Sequence, residues 1–371
     1  MRLDVFPAMS SSRSITLGIP KGSLEAPTLA IFERVGLHFT GAARSLWLAS
    51  NDPEIRPVLL KPQEIPIYVR SGRLDAGLSG LDWIVEQDVD QHVSLLAELQ
   101  YSRQTSQPIR WVLAVPEKSP VTDIESLRAE CEARRAAGRP FTISTELTRV
   151  SSLWLDKHGI DAQTEFSWGA TEAKAAYFSD AIIEGTETGA SLRANGLREI
   201  AEVFRSTTQF FANREVYRYD AWKREKIQAI AHLIRGAQRA NDYVQLAVVA
   251  PRRIDLEAIL GDGRRVVTIS EGSTNRHFHA VVTIEKRDIN KALPAVIAAG
   301  ACDAWVTPLN VVYSDAGHHE HWSAVDTSEY PSVRAADPSA EPAADEAGAD
   351  LAVTTTRSRA NGGRPDRARR G

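Results

Sequence analysis

Short apolar runs closed by glycine or proline alternate with amphipathic stretches along the first part of this chain. Ile15-Thr16-Leu17-Gly18-Ile19-Pro20 reads as a strand, and Leu24, Leu29, Ile31, Phe32 and Val35 form a helical stripe that Gly36 ends. A second strand is expected near 55–60. Pro62-Gln63-Glu64-Ile65-Pro66 then opens a short helix, with proline in its first turn. Leu74-Asp75-Ala76-Gly77-Leu78-Ser79-Gly80 reads as a strand and 82–89 as a helix. Such β/α alternation predicts a mostly parallel sheet covered by helices on both faces.

The pattern restarts near Pro108. Strands are expected at 110–116, 142–146, 165–168 and 181–184, with helices at 124–136 and 151–158. Residues 198–213 read as strand-rich return structure and 222–241 as a long amphipathic helix. Beyond Val244 the order becomes β-α-β-β-α-β, with elements at 244–250, 256–260, 266–270, 278–284, 289–299 and 304–307, which is the ferredoxin-like order. The layout expected from these runs is a first lobe at 14–104 plus about 197–220 and a second lobe at 105–196. A small module with its leading helix follows at 221–314. The residues at 315–371, rich in Ala, Asp, Ser, Pro and Arg, are expected to be disordered. Two α/β lobes with loops at their strand ends predict a ligand cleft between them.

Composition narrows the class. The 371 residues suffice for two or three domains, and 43% hydrophobic with 25% charged residues is ordinary for a soluble globular protein. A net charge of −4 argues against a general nucleic-acid or acidic-membrane surface. Cys131 and Cys302 are far apart and in no metal-like spacing, which fits a reducing cytoplasm. No signal-peptide pattern opens the chain, and no apolar run approaches the ~20 residues of a membrane helix. The expectation is a cytoplasmic protein.

The chemistry concentrates at Glu184-Gly185-Thr186-Glu187-Thr188-Gly189-Ala190-Ser191, directly after the apolar run Ala181-Ile182-Ile183. A strand running into a hydroxyl- and glycine-rich turn offers backbone N–H groups and Thr/Ser hydroxyls to phosphate oxygens. The carboxylates of Glu184 and Glu187 suit ribose hydroxyls, or a divalent metal bridging to phosphates. The plainer reading is a capped turn in which Gly189 supplies a positive φ. Lys21, Gly22 and Ser23 sit at a strand-to-helix junction where a cation can meet phosphates. Arg103 and Arg110 could also meet phosphates, but a surface arginine is the default reading. The His318-His319-Glu320-His321 run has metal-like composition but lies in the expected tail.

With these segments in order, the chain resembles the long form of the ATP phosphoribosyltransferase family over about residues 14–313. The resemblance is carried by Gly18-Ile19-Pro20-Lys21-Gly22-Ser23-Leu24, by Leu74 through Trp83, by Gly169-Ala170-Thr171-Glu172-Ala173-Lys174, and by Asp180 through Leu197. It implies a two-lobed, periplasmic-binding-protein-like α/β catalytic core followed by a ferredoxin-like (ACT-like) βαββαβ regulatory domain. It also implies transfer of 5-phosphoribosyl from phosphoribosyl pyrophosphate (PRPP) to N1 of ATP, with Mg²⁺ as cofactor and pyrophosphate released, at the start of histidine biosynthesis.

On that resemblance Lys21, Glu184 and Glu187 are catalytic. Glu184, Thr186, Glu187, Thr188, Gly189, Ala190 and Ser191 hold the ribose 5-phosphate. Lys21, Gly22, Ser23, Gly80, Leu81, Asp82, Thr145, Glu146, Gly169, Ala170, Thr171 and Glu172 line the cleft, although Asp82 also reads as a helix N-cap. Family members commonly have Asp where Glu184 stands, Thr where Ser191 stands and Arg where Ser23 stands. The metal ligands are not identified. The third module resembles a histidine-sensing domain, with Val266-Val267-Thr268 and Glu271 departing from the family's usual residues. The family's oligomers imply self-association. Two other classes share the architecture: a two-lobed small-molecule binding protein and a catalytically silent regulatory subunit.

Overall fold

The computed structural model describes residues 13–41, 45–99, 108–175, 177–260 and 277–312, with the backbone of 272–274. Among these residues two five-stranded sheets form the two-lobed α/β core, and a four-stranded sheet forms the third module. In the first sheet Ile55–Leu60, Ile15–Pro20 and Ala76–Gly80 run parallel, Thr208–Asn213 runs antiparallel to them, and Val93–Leu99 at its far side runs in their direction again. Register pairs Pro20 with Leu60 and Gly80 with Thr208. The segments that follow Pro20, Leu60 and Gly80, and the one that precedes Thr208, therefore emerge at a single edge.

The second sheet has the order Leu197–Ser206, Ile109–Pro116, Ala181–Thr186, Thr142–Thr145, Gln163–Phe166. Its last three strands are parallel, and register aligns Ile183 with Thr145 and Thr145 with Phe166. The next residue on each strand is Glu184, Glu146 and Ser167. Sheet geometry alone thus brings three distant polar residues to one edge.

The return segment divides where the sequence reading kept it whole. Leu197–Ser206 pairs with Ile109–Pro116 in the second sheet, and only Thr208–Asn213 joins the first. Thr207 carries the chain across. The long helix, Ala221–Arg239, also differs from its expected place with the third module. Its apolar stripe, Ile227, Ile230, Ala231 and Ile234, is buried in one core with Ile15, Leu17, Leu78 and Phe210 of the first sheet. Lys223 reinforces this docking with a 2.7 Å ion pair to Asp75. The strand Val93–Leu99 was not anticipated, because it is buried almost throughout and shows no alternation.

The third module orders its strands Gly272–Thr274, His277–Glu285, Tyr243–Ala250, Asp303–Pro308, all antiparallel, with helices Leu256–Leu260 and Ile289–Ala298. This is the ferredoxin-like arrangement. The strand expected at 266–270, the departures at Val266-Val267-Thr268 and Glu271, Arg103, the His318–His321 run and the 315–371 segment lie outside the described residues. Among the described residues no helix is long and apolar enough to cross a membrane.

The lobes are tied by a carboxylate. Glu86 ends the helix Leu81–Glu86, which leaves the first sheet, and its side chain accepts from the backbone N–H groups of Arg149 (3.0 Å) and Val150 (3.0 Å) and from the Thr148 hydroxyl (3.1 Å). Helix Thr148–Lys157 has no side-chain cap from its own N-cap residue, Leu147. Glu86 supplies that cap from the other lobe, meeting otherwise unpaired amides and the positive end of the helix. Arg149 answers with bonds to the Val85 carbonyl (3.1 Å) and the Asp88 carboxylate (2.5 Å). Replacing Glu86 with Ala is expected to cost about 1–2 kcal/mol, the usual worth of a lost cap. Urea unfolding monitored by circular dichroism measures it; no loss would show that the amides find equal partners in water.

Candidate active site

The first-sheet edge opens into a cavity of about 480 Å³ lined by Lys21, Gly22, Ser23, Lys61, Pro62, Gln63, Gly80 and Asp82. Trp83, Ile109 and the Ser206-Thr207-Thr208 crossover close its wall. Ligands of open α/β sheets bind beyond the carboxyl ends of parallel strands, and this cavity lies beyond three of them. The structure therefore gathers Lys21, Gly22, Ser23, Gly80 and Asp82 as lining residues. Lys61–Gln63 and the crossover were missed. Lys61–Gln63 could have been found by applying the strand-end rule to 55–60, as it was to 15–20.

Leu81 is different. Its side chain is buried in the hydrophobic core, and only its neighbours Gly80 and Asp82 face the cavity. Asp82 is not an N-cap either: the helix begins at Leu81 with Gly80 in the cap position. The buried Asp82 carboxylate accepts from the Trp111 indole N–H (2.8 Å) and the Trp83 amide (2.8 Å), and the Asp82 amide donates to the Ser206 hydroxyl (3.1 Å). Trp111 belongs to the second sheet and packs edge-on against Trp83, so Asp82 joins the lobes at the cavity floor. Gly80 is fixed by this arrangement, since a Cβ there would stand 2.0 Å from the Asp82 carboxylate.

The second-sheet edge supplies a carboxylate cluster. Glu184 receives a hydrogen bond from Thr171 and lies in the field of Glu172 and Glu146. Desolvation, with like-charge repulsion added, raises its carboxyl from the ordinary 4.5 to about 7. The turn Gly169–Glu172 has Gly169 and Ala170 at positive φ, which folds the chain so that Thr171 is buried and Glu172 reaches the loop after Glu184. There the Ser191 hydroxyl donates to Glu172 (2.6 Å). Ser167 and Thr171 hydroxyls are 2.8 Å apart and both buried, and the Lys174 ammonium donates to Ser167 (2.6 Å). Thr145 is fully buried, and its hydroxyl accepts from the Leu147 amide (3.0 Å), a turn-forming role.

Within the 184–191 loop, Thr186 accepts from the Gly189 amide (2.8 Å) and Thr188 accepts a longer bond from Ala190 (3.4 Å). Gly189 is left-handed at φ 71°, and a Cβ there would lie 2.4 Å from the Glu199 carboxylate and 2.8 Å from the Arg193 guanidinium. The dihedral favours glycine here, and a Cβ would also displace the ends of these two side chains. The helix that follows, Ala190–Ala194, has five residues, so any anion affinity rests on the turn's amides and hydroxyls rather than on a long dipole. Thr188 opens onto a second cavity, of about 740 Å³, with Arg110, Arg193 and Arg198 on its wall. Arg110 is held there by Glu199 (3.2 Å) and Glu202 (3.6 Å).

The two edges meet at Ile109. It lines the first cavity, and its side chain lies 3.3 Å from where a Cβ on Gly185 would stand. Among the described residues no group of three or more His, Cys, Asp or Glu has the arrangement of a metal cage.

The family model and the sequence relatives name the same family. A family model described as ATP phosphoribosyltransferase matches residues 61–236. The chain is 41% identical over 299 residues to an ATP phosphoribosyltransferase of Pelotomaculum thermopropionicum, covering 80% of this chain and 99% of that protein. It is 39% identical over 299 residues to one from Thermodesulfovibrio yellowstonii, covering 80% and 98%. Among solved structures it is similar to a chain of the ATP phosphoribosyl transferase (HisG:HisZ) complex from Thermotoga maritima. That match has 24% identity and a TM-score of 0.47, over 60% of this chain and 96% of that one.

The Glu184 carboxyl yields a stability test. Between its ordinary 4.5 and about 7 the folded chain holds a proton that the unfolded chain has released. Stability from this group is therefore full below pH 4.5 and is lost as pH rises through 7, a loss of roughly 3 kcal/mol at most. Glu184→Gln removes the titration. Relative to the parent, the variant should gain stability between pH 5 and pH 8 in urea unfolding; parallel stability curves would show that Glu184 is well solvated.

Proposed function

We propose how this cleft works from one premise: the chain belongs to the ATP phosphoribosyltransferase family. It transfers 5-phosphoribosyl from PRPP to N1 of ATP, giving phosphoribosyl-ATP and pyrophosphate, the first step of histidine biosynthesis. The observation that supports the residue roles best is the register-aligned carboxylate cluster around Glu184, beside a hydroxyl-rich loop on the strand whose Gly185 adjoins Ile109, a wall residue of the lysine-bearing cavity.

In this reading the 184–191 loop grips the ribose 5-phosphate through the hydroxyl protons of Thr186 and Thr188, while the Gly189 and Ala190 amides and the Ser191 hydroxyl exchange their partners in the free protein, Thr186, Thr188 and Glu172, for phosphate oxygens. Glu184 and Glu187 address the ribose hydroxyls. As the C1–O bond to pyrophosphate breaks, positive charge grows on the sugar, and an ionised Glu184 beside Glu146 and Glu172 stabilises it electrostatically. Lys21, aided by Lys61 on the neighbouring strand end, offsets negative charge on the phosphates. N1 of adenine already holds a lone pair, so alignment of the two substrates matters more than a general base.

The residues fit Mg²⁺ as an ion carried by PRPP. Such ions commonly keep most of their ligands from phosphate and water, so no all-protein cage is needed. When bound, Mg²⁺ neutralises pyrophosphate as a leaving group.

Histidine is assigned to the ferredoxin-like module as an allosteric inhibitor, and the chain is assigned as a homo-oligomer. The exposed Trp168, Tyr177 and Phe178 are apolar surface of the kind that assembly covers.

Mixing ATP, PRPP and Mg²⁺ with the pure protein should yield phosphoribosyl-ATP; tight PRPP binding without turnover would favour a binding protein or silent subunit. Glu184→Ala and Thr188→Ala should each lower kcat/KM for PRPP about 100-fold or more, as loss of charge-assisted contacts at a transition state does, while melting within a few degrees of the parent. Early melting with normal turnover in the folded variants would make the loop structural. Histidine should inhibit at millimolar levels or below; full activity there would remove the regulatory assignment.

A further inference from the structure

Glu184 ends a string of hydrogen-bonded side chains: Thr171, Ser167 and Lys174. Its direction follows from donor and acceptor chemistry. An ammonium can only donate, so the 2.6 Å contact between Lys174 and Ser167 uses the Ser167 oxygen as acceptor. The single Ser167 proton is then available to Thr171, 2.8 Å away. Thr171, whose oxygen accepts that bond, has its own proton left for Glu184, and its bond to Glu184 is of the kind that favours the ionised carboxylate. Every contact in the string agrees with one polarity, from ammonium to carboxylate.

We propose that Lys174 is a positioning residue for phosphoribosyl transfer: through Ser167 and Thr171 it fixes a one-way chain of hydrogen bonds that presents Glu184 to the ribose as an oriented, ionised carboxylate. The inference rests on the reading of Glu184 given above and extends it to a residue on the far side of the turn.

The surroundings show why such a device is needed. Glu146 and Glu172 both repel charge on Glu184. On the adjacent strand Val112 stands opposite Glu184, and Arg110, two residues along, is engaged by Glu199 and Glu202. Lys174 is the cation that this hydrogen-bonded string connects to Glu184. With both hydroxyl links buried, the polarisation it imposes is little screened by water. Without Lys174 the string can reverse. Ser167 and Thr171 then accept as readily as they donate, and a protonated, misdirected Glu184 becomes favourable.

The test is steady-state kinetics from pH 6 to 9 on the full chain, with four variants. Lys174→Met should raise KM for PRPP about tenfold near pH 7, the effect of one charge-assisted bond, and leave KM for ATP unchanged. The acid limb of kcat/KM for PRPP should move to higher pH. Thr171→Val should reproduce both effects, and Lys174→Arg, also a pure donor, should restore the parent profile. Glu184→Gln separates the two levels of argument. If it impairs PRPP use while folded Lys174→Met and Thr171→Val keep the parent KM and pH profile, the string is only structural and this inference is overturned. If Glu184→Gln is itself without effect on PRPP kinetics, the underlying role of Glu184 fails instead.

Discussion

The site depends on keeping one carboxylate, Glu184, partly out of water beside two others. Desolvation and the charges of Glu146 and Glu172 oppose its ionisation, and a bond from Thr171 favours it. Such a group is costly in an empty protein and useful only where a partner relieves it. A sugar that offers hydroxyls, and gains positive charge during reaction, is such a partner. The surrounding architecture holds the cluster on strand ends, beside the left-handed turn at Gly189.

Sheet register does most of the positioning. Glu184, Glu146 and Ser167 are far apart in sequence, yet each is the residue after an aligned triplet of parallel strands. In the first lobe the same logic places Lys21 and Lys61 at one edge. The lobes are then locked by two acidic side chains that serve structure rather than chemistry. Asp82 takes the Trp111 indole across the cavity floor, and Glu86 caps a helix of the opposite lobe.

Much of this was legible in the sequence, for physical reasons that can be named. The strand Ile15–Pro20 is marked as a short apolar run closed by proline, and the helix Ile124–Ala136 by the Asp123 cap before it and Gly138 after it. The loop at 184–191 was legible because its composition is unusual for a mere turn. Other features depend on tertiary pairing and leave little local trace. The strand Val93–Leu99 is buried on both faces, so alternation is absent. The crossing of 197–213 between sheets turns on one residue, Thr207. The docking of Ala221–Arg239 on the first lobe is invisible in an amphipathic stripe that fits either neighbour. Leu81 shows the opposite error: its neighbours Gly80 and Asp82 face the cavity, but the helix turn sends its own side chain into the core.

The most direct measurement is a carbon-13 NMR titration of the glutamate side-chain carboxyls, with Glu184→Gln used to assign the resonance. The account predicts one carboxyl titrating near pH 7 in the free protein, absent from the variant, and titrating at lower pH once Mg²⁺ and PRPP are bound, because ribose hydroxyls favour the ionised form. A Glu184 resonance in the ordinary carboxylate range, indifferent to PRPP, would contradict it.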